Sequence, residues 1–127
     1  MFQIDYSARV RIYEQICNSV IKLASAGVLK PHDKIPPVRV LADQLGINPN
    51  TVAKSYRYLE MRGYIYSAVG RGSFVTDKLS KDNALKILAV DEFTRAASQA
   101  IIYGVSRDEL IEIIDSVEKG GSDNDSD

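Results

Sequence analysis

Apolar residues recur at helical spacing in three stretches of the first half of the chain. Steps of three and four residues predict a first helix over 11–27, and its stripe consists of Tyr13, Ile16, Cys17, Val20, Leu23 and Ala24. Shorter stripes predict a second helix over 38–45, with Gly46 as its stop, and a third over 49–62, with Leu41, Ala42, Leu45, Val52, Tyr56 and Leu59 facing inward. Residues 28–37 hold three of the four prolines and are expected to form a turn-rich connector.

Only three residues separate the second and third helices, which is the spacing of a helix-turn-helix. Asn48 can cap the third helix, and Pro49 suits its first position because the N–H that proline lacks has no partner there. A helix-turn-helix projects the first turn of its second helix outward. The residues expected there suit base edges and phosphates in a major groove: Asn48, Asn50, Thr51 and Lys54. A capped helix with a solvated polar face remains the alternative interpretation.

Two short runs of β-forming residues follow, at 64–67 and 73–75. Between them lies Val69-Gly70-Arg71-Gly72, and Gly-x-Gly between such runs indicates the tip of a β-hairpin. A hairpin directly after a helix-turn-helix is a wing. Gly70 and Gly72 would let the backbone approach a groove closely, and Arg71 suits a narrow, electronegative minor groove.

The second half of the chain predicts two further helices. A polar linker over 77–83 precedes a helix over 84–104, whose apolar stripe is Leu85, Leu88, Ala89, Phe93, Ala96, Ala97 and Ala100. Ser106 and Glu109 form a capping box for a last helix that carries Leu110, Ile113, Ile114 and Val117. Because two such helices cannot close a core alone, they must pack on the first domain, on a second copy of the chain, or on both. A second copy is favoured, since helix-turn-helix proteins commonly read two half-sites as dimers.

The predicted fold class is mainly α with a small β-hairpin. It comprises a winged helix-turn-helix domain over 1–77, a two-helix dimerisation region over 78–119 and a disordered acidic tail over 120–127. Residues 1–77 carry 10 Lys and Arg against 6 Asp and Glu, whereas residues 78–127 carry 6 against 11. A basic first part joined to an acidic second part is expected when only the first part meets a polyanion.

Several classes of function find no support in the sequence. No apolar run approaches the ~18 residues of a membrane span, and no signal-like segment follows Met1. The chain has no Gly-rich phosphate loop, no metal-ligand cluster and no imidazole besides His32, so we expect no enzyme, cofactor or metal. The single cysteine, Cys17, rules out an internal disulfide, fits a reducing cytoplasm and is expected in the core.

Residues 12–76 resemble the DNA-binding domain of GntR-type bacterial transcription regulators. The matching motifs are IYEQI, L-x-P-x-D-x-I-P-x-V-R, NPNTVAKSYRYLE-x-x-G-Y-I and G-R-G-S-F-V. NPNTV and the short C-terminal region are similar to the YtrA subfamily, which joins the winged helix to a small two-helix dimerisation region. The resemblance implies a cytoplasmic homodimeric repressor of a transporter or cell-envelope stress operon, bound to an inverted-repeat operator in double-stranded DNA.

The resemblance also implies roles for single residues. Arg39, in a Pro-x-x-Arg motif, would bind backbone phosphate. The recognition positions and the wing tip would be Asn48, Asn50, Thr51, Lys54, Gly70, Arg71 and Gly72. The chain departs from the family pattern at four residues: Pro37 replaces a serine, His32 a glycine, and Pro49 and Ala53 arginines of other branches. The family's operator sequence therefore cannot be transferred to this chain.

Two alternatives stay open at this point. A winged helix can bind a protein instead of DNA, which would explain the fold but not its gathered polar and basic residues. A repressor can also be gated by a small-molecule effector, with Tyr6, Phe93 and Tyr103 lining a pocket. Aromatic residues at helical spacing are more often part of a core. The sequence does not separate a gated from an ungated repressor.

Overall fold

The structure, a computed structural model, describes the backbone of residues 2–6 and 10–124 and the side chains through residue 120. Helices dominate it, as the sequence predicted. The elements are α1 (Ile12–Ser25), β1 (Lys34–Ile35), α2 (Val38–Leu45), α3 (Pro49–Met61), β2 (Ile65–Ala68), β3 (Gly72–Val75), a 3-10 helix (Asp77–Leu79), α4 (Lys81–Ile102) and α5 (Arg107–Asn124). The chain divides into two compact units, Met1–Leu88 and Ala89–Asp127.

The first unit is built around the apolar stripes of α1, α2 and α3. Most of the predicted inward positions are buried there, with Ile16, Leu41, Val52 and Leu59 fully so. The others are half-buried: Tyr13, Leu23 and Leu45. Cys17 also lies in this core, where its Sγ donates to the Ser55 carbonyl oxygen at 3.5 Å. These contacts hold the helix-turn-helix, α2 and α3, against α1.

The sheet has three strands, one more than the predicted hairpin. β3 lies in the middle and pairs antiparallel with both β2 and β1. β1 belongs to the segment 28–37, which we expected to be connector only. Ile35 is buried in the core, and the Val75 N–H donates to the Asp33 carbonyl oxygen at 2.9 Å. A strand of two residues has no alternation to detect, so the sequence pattern could not predict it.

The segment 77–83 forms structure instead of the expected polar linker. Its 3-10 helix buries Leu79 completely, and Ala84 at the start of α4 is buried as well. The first turns of α4 therefore belong to the first unit, which ends after Leu88 and not at the expected boundary after residue 77. A single leucine within a polar stretch creates no periodicity, and this explains the difference.

The second unit consists of the rest of α4 and α5. The Ser106 hydroxyl accepts a hydrogen bond from the Glu109 N–H at 3.2 Å, as expected of an N-cap. α5 continues to Asn124, so residues 120–124 of the expected disordered tail are helical, while 125–127 lie outside the described residues. Large apolar side chains are exposed throughout this unit: Val90, Phe93, Ile101, Ile102, Tyr103, Ile111, Ile113, Ile114 and Val117.

No helix in the part of the chain that the structure describes has both the length and the apolar character needed to cross a membrane.

Candidate nucleic-acid interface

The N-terminus of α3 is built as the sequence predicted. Asn48 has an extended backbone, and its Oδ1 accepts a hydrogen bond from the Asn50 N–H at 2.8 Å. Pro49 occupies the first helical position. The side chains of Asn48, Pro49 and Asn50 are exposed, whereas Thr51 is half-buried. The cap uses one oxygen of Asn48 and leaves its amide NH₂ group free of that bond.

The turn before α3 fixes the direction in which the helix starts. Gly46 ends α2 with φ +67°, a left-handed conformation that glycine adopts without steric cost. The Ile47 N–H donates to the Ala42 carbonyl oxygen at 3.1 Å, which closes the turn. The polar first turn of α3 thus projects from a rigid connection.

Two side chains of α3 anchor this helix to neighbouring segments. The Ser55 hydroxyl, fully buried, lies 3.0 Å from the Tyr13 carbonyl oxygen of α1 and 3.1 Å from the Thr51 carbonyl oxygen. The Tyr56 hydroxyl donates to the Pro36 carbonyl oxygen, and burial raises the pKa of this phenol. α3 is therefore tied to α1 and to the chain just before α2.

Lys54 lies against α1, where its ammonium group contacts an aromatic ring, a contact that the sequence did not predict. Its Nζ is 4.3 Å from the centre of the Tyr13 ring, and Tyr13 makes an edge contact with Tyr58. The Arg62 guanidinium stacks on Tyr58 in turn, at 5.0 Å. Lys54, Tyr58 and Arg62 follow at four-residue steps, so they share one face of α3. Cation–π contacts at exposed sites stabilise by about 0.5–1 kcal/mol each, enough to bias the position of Lys54.

Arg39 is exposed in the first turn of α2. Pro37 occupies the N-cap position of this helix, and no side chain caps it, as expected where proline replaces a serine. Among the described residues, no carboxylate lies within 4.0 Å of the Arg39 guanidinium. The guanidinium is therefore available to an external anion.

The wing forms as predicted, with β2 and β3 in antiparallel register from Ile65↔Val75 to Ala68↔Gly72. At its tip the Arg71 N–H donates to the Ala68 carbonyl oxygen at 2.9 Å. Gly70 has φ +75° and Gly72 φ +111°, conformations that side-chain-bearing residues rarely adopt. The side chain of Arg71 is exposed at this tip.

Three side chains near these positions were not predicted from the sequence. Val69 is fully exposed at the wing tip, and Arg57 is exposed on α3. Lys34 of β1 lies over Gly72, since a Cβ at Gly72 would come within 2.8 Å of Lys34 Cε. A basic residue after a proline-rich turn carries no signal by itself, because its neighbour is known only once β1 is seen to pair with β3.

The residues considered for an effector pocket or a metal site are arranged differently. Tyr6, Phe93 and Tyr103 are all exposed, and the Tyr6 hydroxyl donates to the Leu45 carbonyl oxygen at 3.2 Å. His32 contacts the Tyr66 hydroxyl at 3.1 Å and the Asp77 carboxylate at 3.3 Å on the outside of the sheet. Within the described residues, no three His, Cys, Asp or Glu side chains are grouped so as to hold a metal ion.

Comparison with known proteins decides the family. Residues 11–75 match the family model described as bacterial regulatory proteins of the gntR family, and these residues include α2, α3 and the wing. The chain belongs to the GntR family. It is 35% identical to the HTH-type transcriptional repressor YtrA of Bacillus subtilis, over 98% of this chain and 100% of that protein.

Solved structures of this family agree with the fold. YtrA from Sulfolobus acidocaldarius, a GntR-family transcription factor, is 35% identical with a TM-score of 0.58 and covers 73% of this chain and 97% of its own. The DNA-binding domain of AraR, in complex with the operator ORX1, is 30% identical with a TM-score of 0.52 and covers 60% of this chain and 93% of its own.

These comparisons confirm the YtrA-like GntR resemblance and the winged-helix fold class. The chain is a GntR-family transcription regulator with a DNA-binding fold. The matched family model and the repressor YtrA are described as regulators, which confirms the expectation of a regulator and not an enzyme.

Proposed function

We propose that the protein is a homodimeric, sequence-specific repressor that places the N-terminal turn of α3 in a major groove and the wing in the adjacent minor groove. The observation that carries this proposal is the exposed first turn of α3, where Asn48 and Asn50 project from a capped helix anchored on its inner face. Rigid elements hold base-reading side chains more reliably than loops. That the AraR domain of similar fold was solved with its operator supports the assignment.

Each contact residue has a separate role in this proposal. Asn48, Asn50 and Thr51 read base edges, for which amide and hydroxyl groups offer both donors and acceptors. Arg39 and Lys54 bind backbone phosphates, and the Tyr13 ring positions Lys54. Gly70, Arg71 and Gly72 bring the wing into the minor groove, where the guanidinium of Arg71 meets enhanced negative potential.

Dimerisation and regulation are further parts of the proposal. The exposed apolar side chains of α4 and α5 form an interaction surface, and in this proposal a second copy of the chain buries them. A two-fold dimer also matches the two half-sites of an inverted repeat. Similarity to the repressor YtrA supports repression. The cytoplasm as location and a transporter or cell-envelope stress operon as target are what the resemblance to the YtrA subfamily implies. No observation favours an effector over an ungated repressor.

An anisotropy titration tests the DNA-binding role, with duplex from upstream of the protein's own gene at two salt concentrations. Arg39→Ala is expected to weaken binding to every duplex and to flatten the salt dependence by about two units of slope, since the proposed dimer loses one phosphate contact on each half-site. Arg95→Ala, an exposed arginine on α4, is the matched control and should bind like the wild type. Equal slopes for all three proteins would contradict the role of Arg39.

Loss of a base contact changes the sequence preference of DNA binding, whereas loss of a phosphate contact changes its salt dependence. Asn50→Ala is expected to relax base preference by ~1–3 kcal/mol at one position of each half-site and to leave the salt slope unchanged. Competition titrations with single-base operator variants measure this preference. A uniform loss of affinity across all variants would contradict a base-reading role for Asn50.

A further inference from the structure

The strand β1 places an exposed lysine beside the wing. β1 pairs with β3 in the register Lys34↔Phe74 and Ile35↔Ser73. Ile35 is buried, at 2% exposure, and successive side chains of a strand point to opposite faces. Lys34 therefore faces outward, and its side chain is exposed.

Gly72 shapes the path of this lysine. A Cβ built at Gly72 would lie 2.8 Å from Cε and 3.6 Å from Nζ of Lys34, and the three heavy atoms nearest to it would all belong to that lysine. The lysine side chain thus occupies the space that any other residue at position 72 would fill. Arg71 precedes Gly72 in the chain, so Lys34 lies against the residue next to the arginine of the wing tip.

Asp33, which precedes Lys34, and Asp77, which begins the 3-10 helix after β3, both have other partners. Asp33 Oδ2 accepts from the Lys30 N–H at 2.9 Å, and Asp77 pairs with His32. Among the side chains that the structure describes, those of residues 2–6 and 10–120, no carboxylate lies within 4.0 Å of the Lys34 ammonium. A lysine of this kind is either an ordinary solvated surface charge or a phosphate contact, and its placement against Gly72 of the wing tip favours the second.

We propose that Lys34 binds a DNA backbone phosphate flanking the minor groove entered by the wing, and that Gly72 is a positioning residue for it. This inference rests on the proposed function, because it adds a contact to the same interface. It also changes the role of Gly72, which admits the Lys34 side chain in addition to shaping the wing turn. An ammonium group acts on phosphate as a compact charge without base preference.

Lys34→Gln tests the phosphate contact in salt titrations with the full chain and an operator duplex. Each subunit of the proposed dimer loses one phosphate contact, so the slope of log affinity against log salt should become shallower by about 1.8, and between 50 and 200 mM salt the variant should lose about twelvefold less affinity than the wild type. Base preference should be unchanged. Lys34→Arg should keep the wild-type slope, and Lys86→Gln, which removes an exposed lysine from α4, is the control for charge alone.

Gly72→Ala tests the positioning role. The new Cβ should displace the flexible end of Lys34, while the positive φ adds strain that lowers the melting temperature. If Gly72 acts through Lys34, Gly72→Ala lowers the salt slope in the wild-type background and has no further effect on the slope in Lys34→Gln. The fall in melting temperature should be the same in both backgrounds.

The outcomes separate this inference from the proposed function. A wild-type slope for Lys34→Gln, in a protein that binds its operator, would overturn the lysine contact alone. Additive slope changes in the double variant would overturn the positioning role of Gly72. A wild-type protein with no salt-dependent duplex binding would overturn the proposed function and this inference with it.

Discussion

At the scale of the residue, Asn48 combines a structural bond with an exposed polar group. Its Oδ1 accepts from the Asn50 N–H and so satisfies an orphan donor of the first turn of α3. Its NH₂ group takes no part in that bond. Asn48 can therefore stabilise the helix and donate to a base at the same time.

Two substitutions separate these roles of Asn48. Asn48→Ala should lower the free energy of unfolding by about 1 kcal/mol, because the cap is lost. Asn48→Asp should keep that stability, since a carboxylate also caps, but should weaken DNA binding because it loses the NH₂ donors and adds a negative charge. Urea denaturation and anisotropy give the two readouts. Wild-type DNA affinity in Asn48→Asp would place Asn48 outside the interface.

Cys17 lies in the core of the first unit, where burial changes the acidity of its thiol. Burial raises the pKa of its thiol to about 11 from an ordinary value of 9.0, so the native protein holds the thiol protonated at neutral pH. The thiol should react slowly with a thiol reagent at pH 8 and rapidly in denaturing urea.

Because burial raises the pKa of Cys17, the stability of the protein depends on pH in the alkaline range. The folded state of Cys17 binds its proton more tightly than the unfolded state, so this contribution to stability is complete below pH 9 and is lost as pH rises toward 11. Cys17→Ala should show a shallower loss of stability over that range in urea titrations. Equal pH dependence in both proteins would contradict the burial argument.

At the scale of the element, the helices could be predicted from the sequence and the shortest elements could not. α1, α2 and α3 were found within a few residues because each repeats an apolar stripe over two or more turns. β1 and the 3-10 helix span two and three residues, too few for any period. The residues of the candidate site could be proposed from the sequence because they lie on α3 and on the wing, which were both predicted. The position of Lys34 could not, because it depends on the pairing of β1 with β3, which no sequence pattern indicates.

The 3-10 helix packs on the core of the first unit through Leu79. Its side chain is fully buried in the core of the first unit, so Leu79→Ala should lower the free energy of unfolding by about 2–5 kcal/mol. Met61→Ala, at the exposed end of α3, is the control and should change it by less than about 0.5 kcal/mol. Equal stability of the two variants in urea denaturation would restore the linker interpretation of 77–83.

At the scale of the whole molecule, the exposed apolar side chains of α4 and α5 require an explanation. In α5, Ile113 is 54% exposed and Ile114 is 40% exposed. Leaving such side chains in water forgoes about 25 cal/mol per Å² of apolar surface, and an extended patch of this kind marks an interaction surface. The proposed homodimer buries them.

Ile114→Asp tests this dimer. A charge without a partner in an apolar interface should convert the protein to a monomer and weaken operator binding, because two half-sites are no longer read together. Ser116→Asp adds the same charge at an exposed polar position of α5 and should leave the assembly unchanged. Light scattering after size-exclusion chromatography gives the mass. An unchanged mass for Ile114→Asp would contradict a dimer interface that includes this face.

Base reading by the first turn of α3 can be tested most directly with a selection that does not require the operator sequence. Duplexes from a random library are selected on the full wild-type chain, on Asn50→Ala and on Arg95→Ala, and the enriched sequences are compared. We expect an inverted repeat for the wild type and for Arg95→Ala, and the same repeat with one position per half-site relaxed for Asn50→Ala. No enriched sequence with the wild type, or the identical sequence with Asn50→Ala, would contradict base reading by this turn.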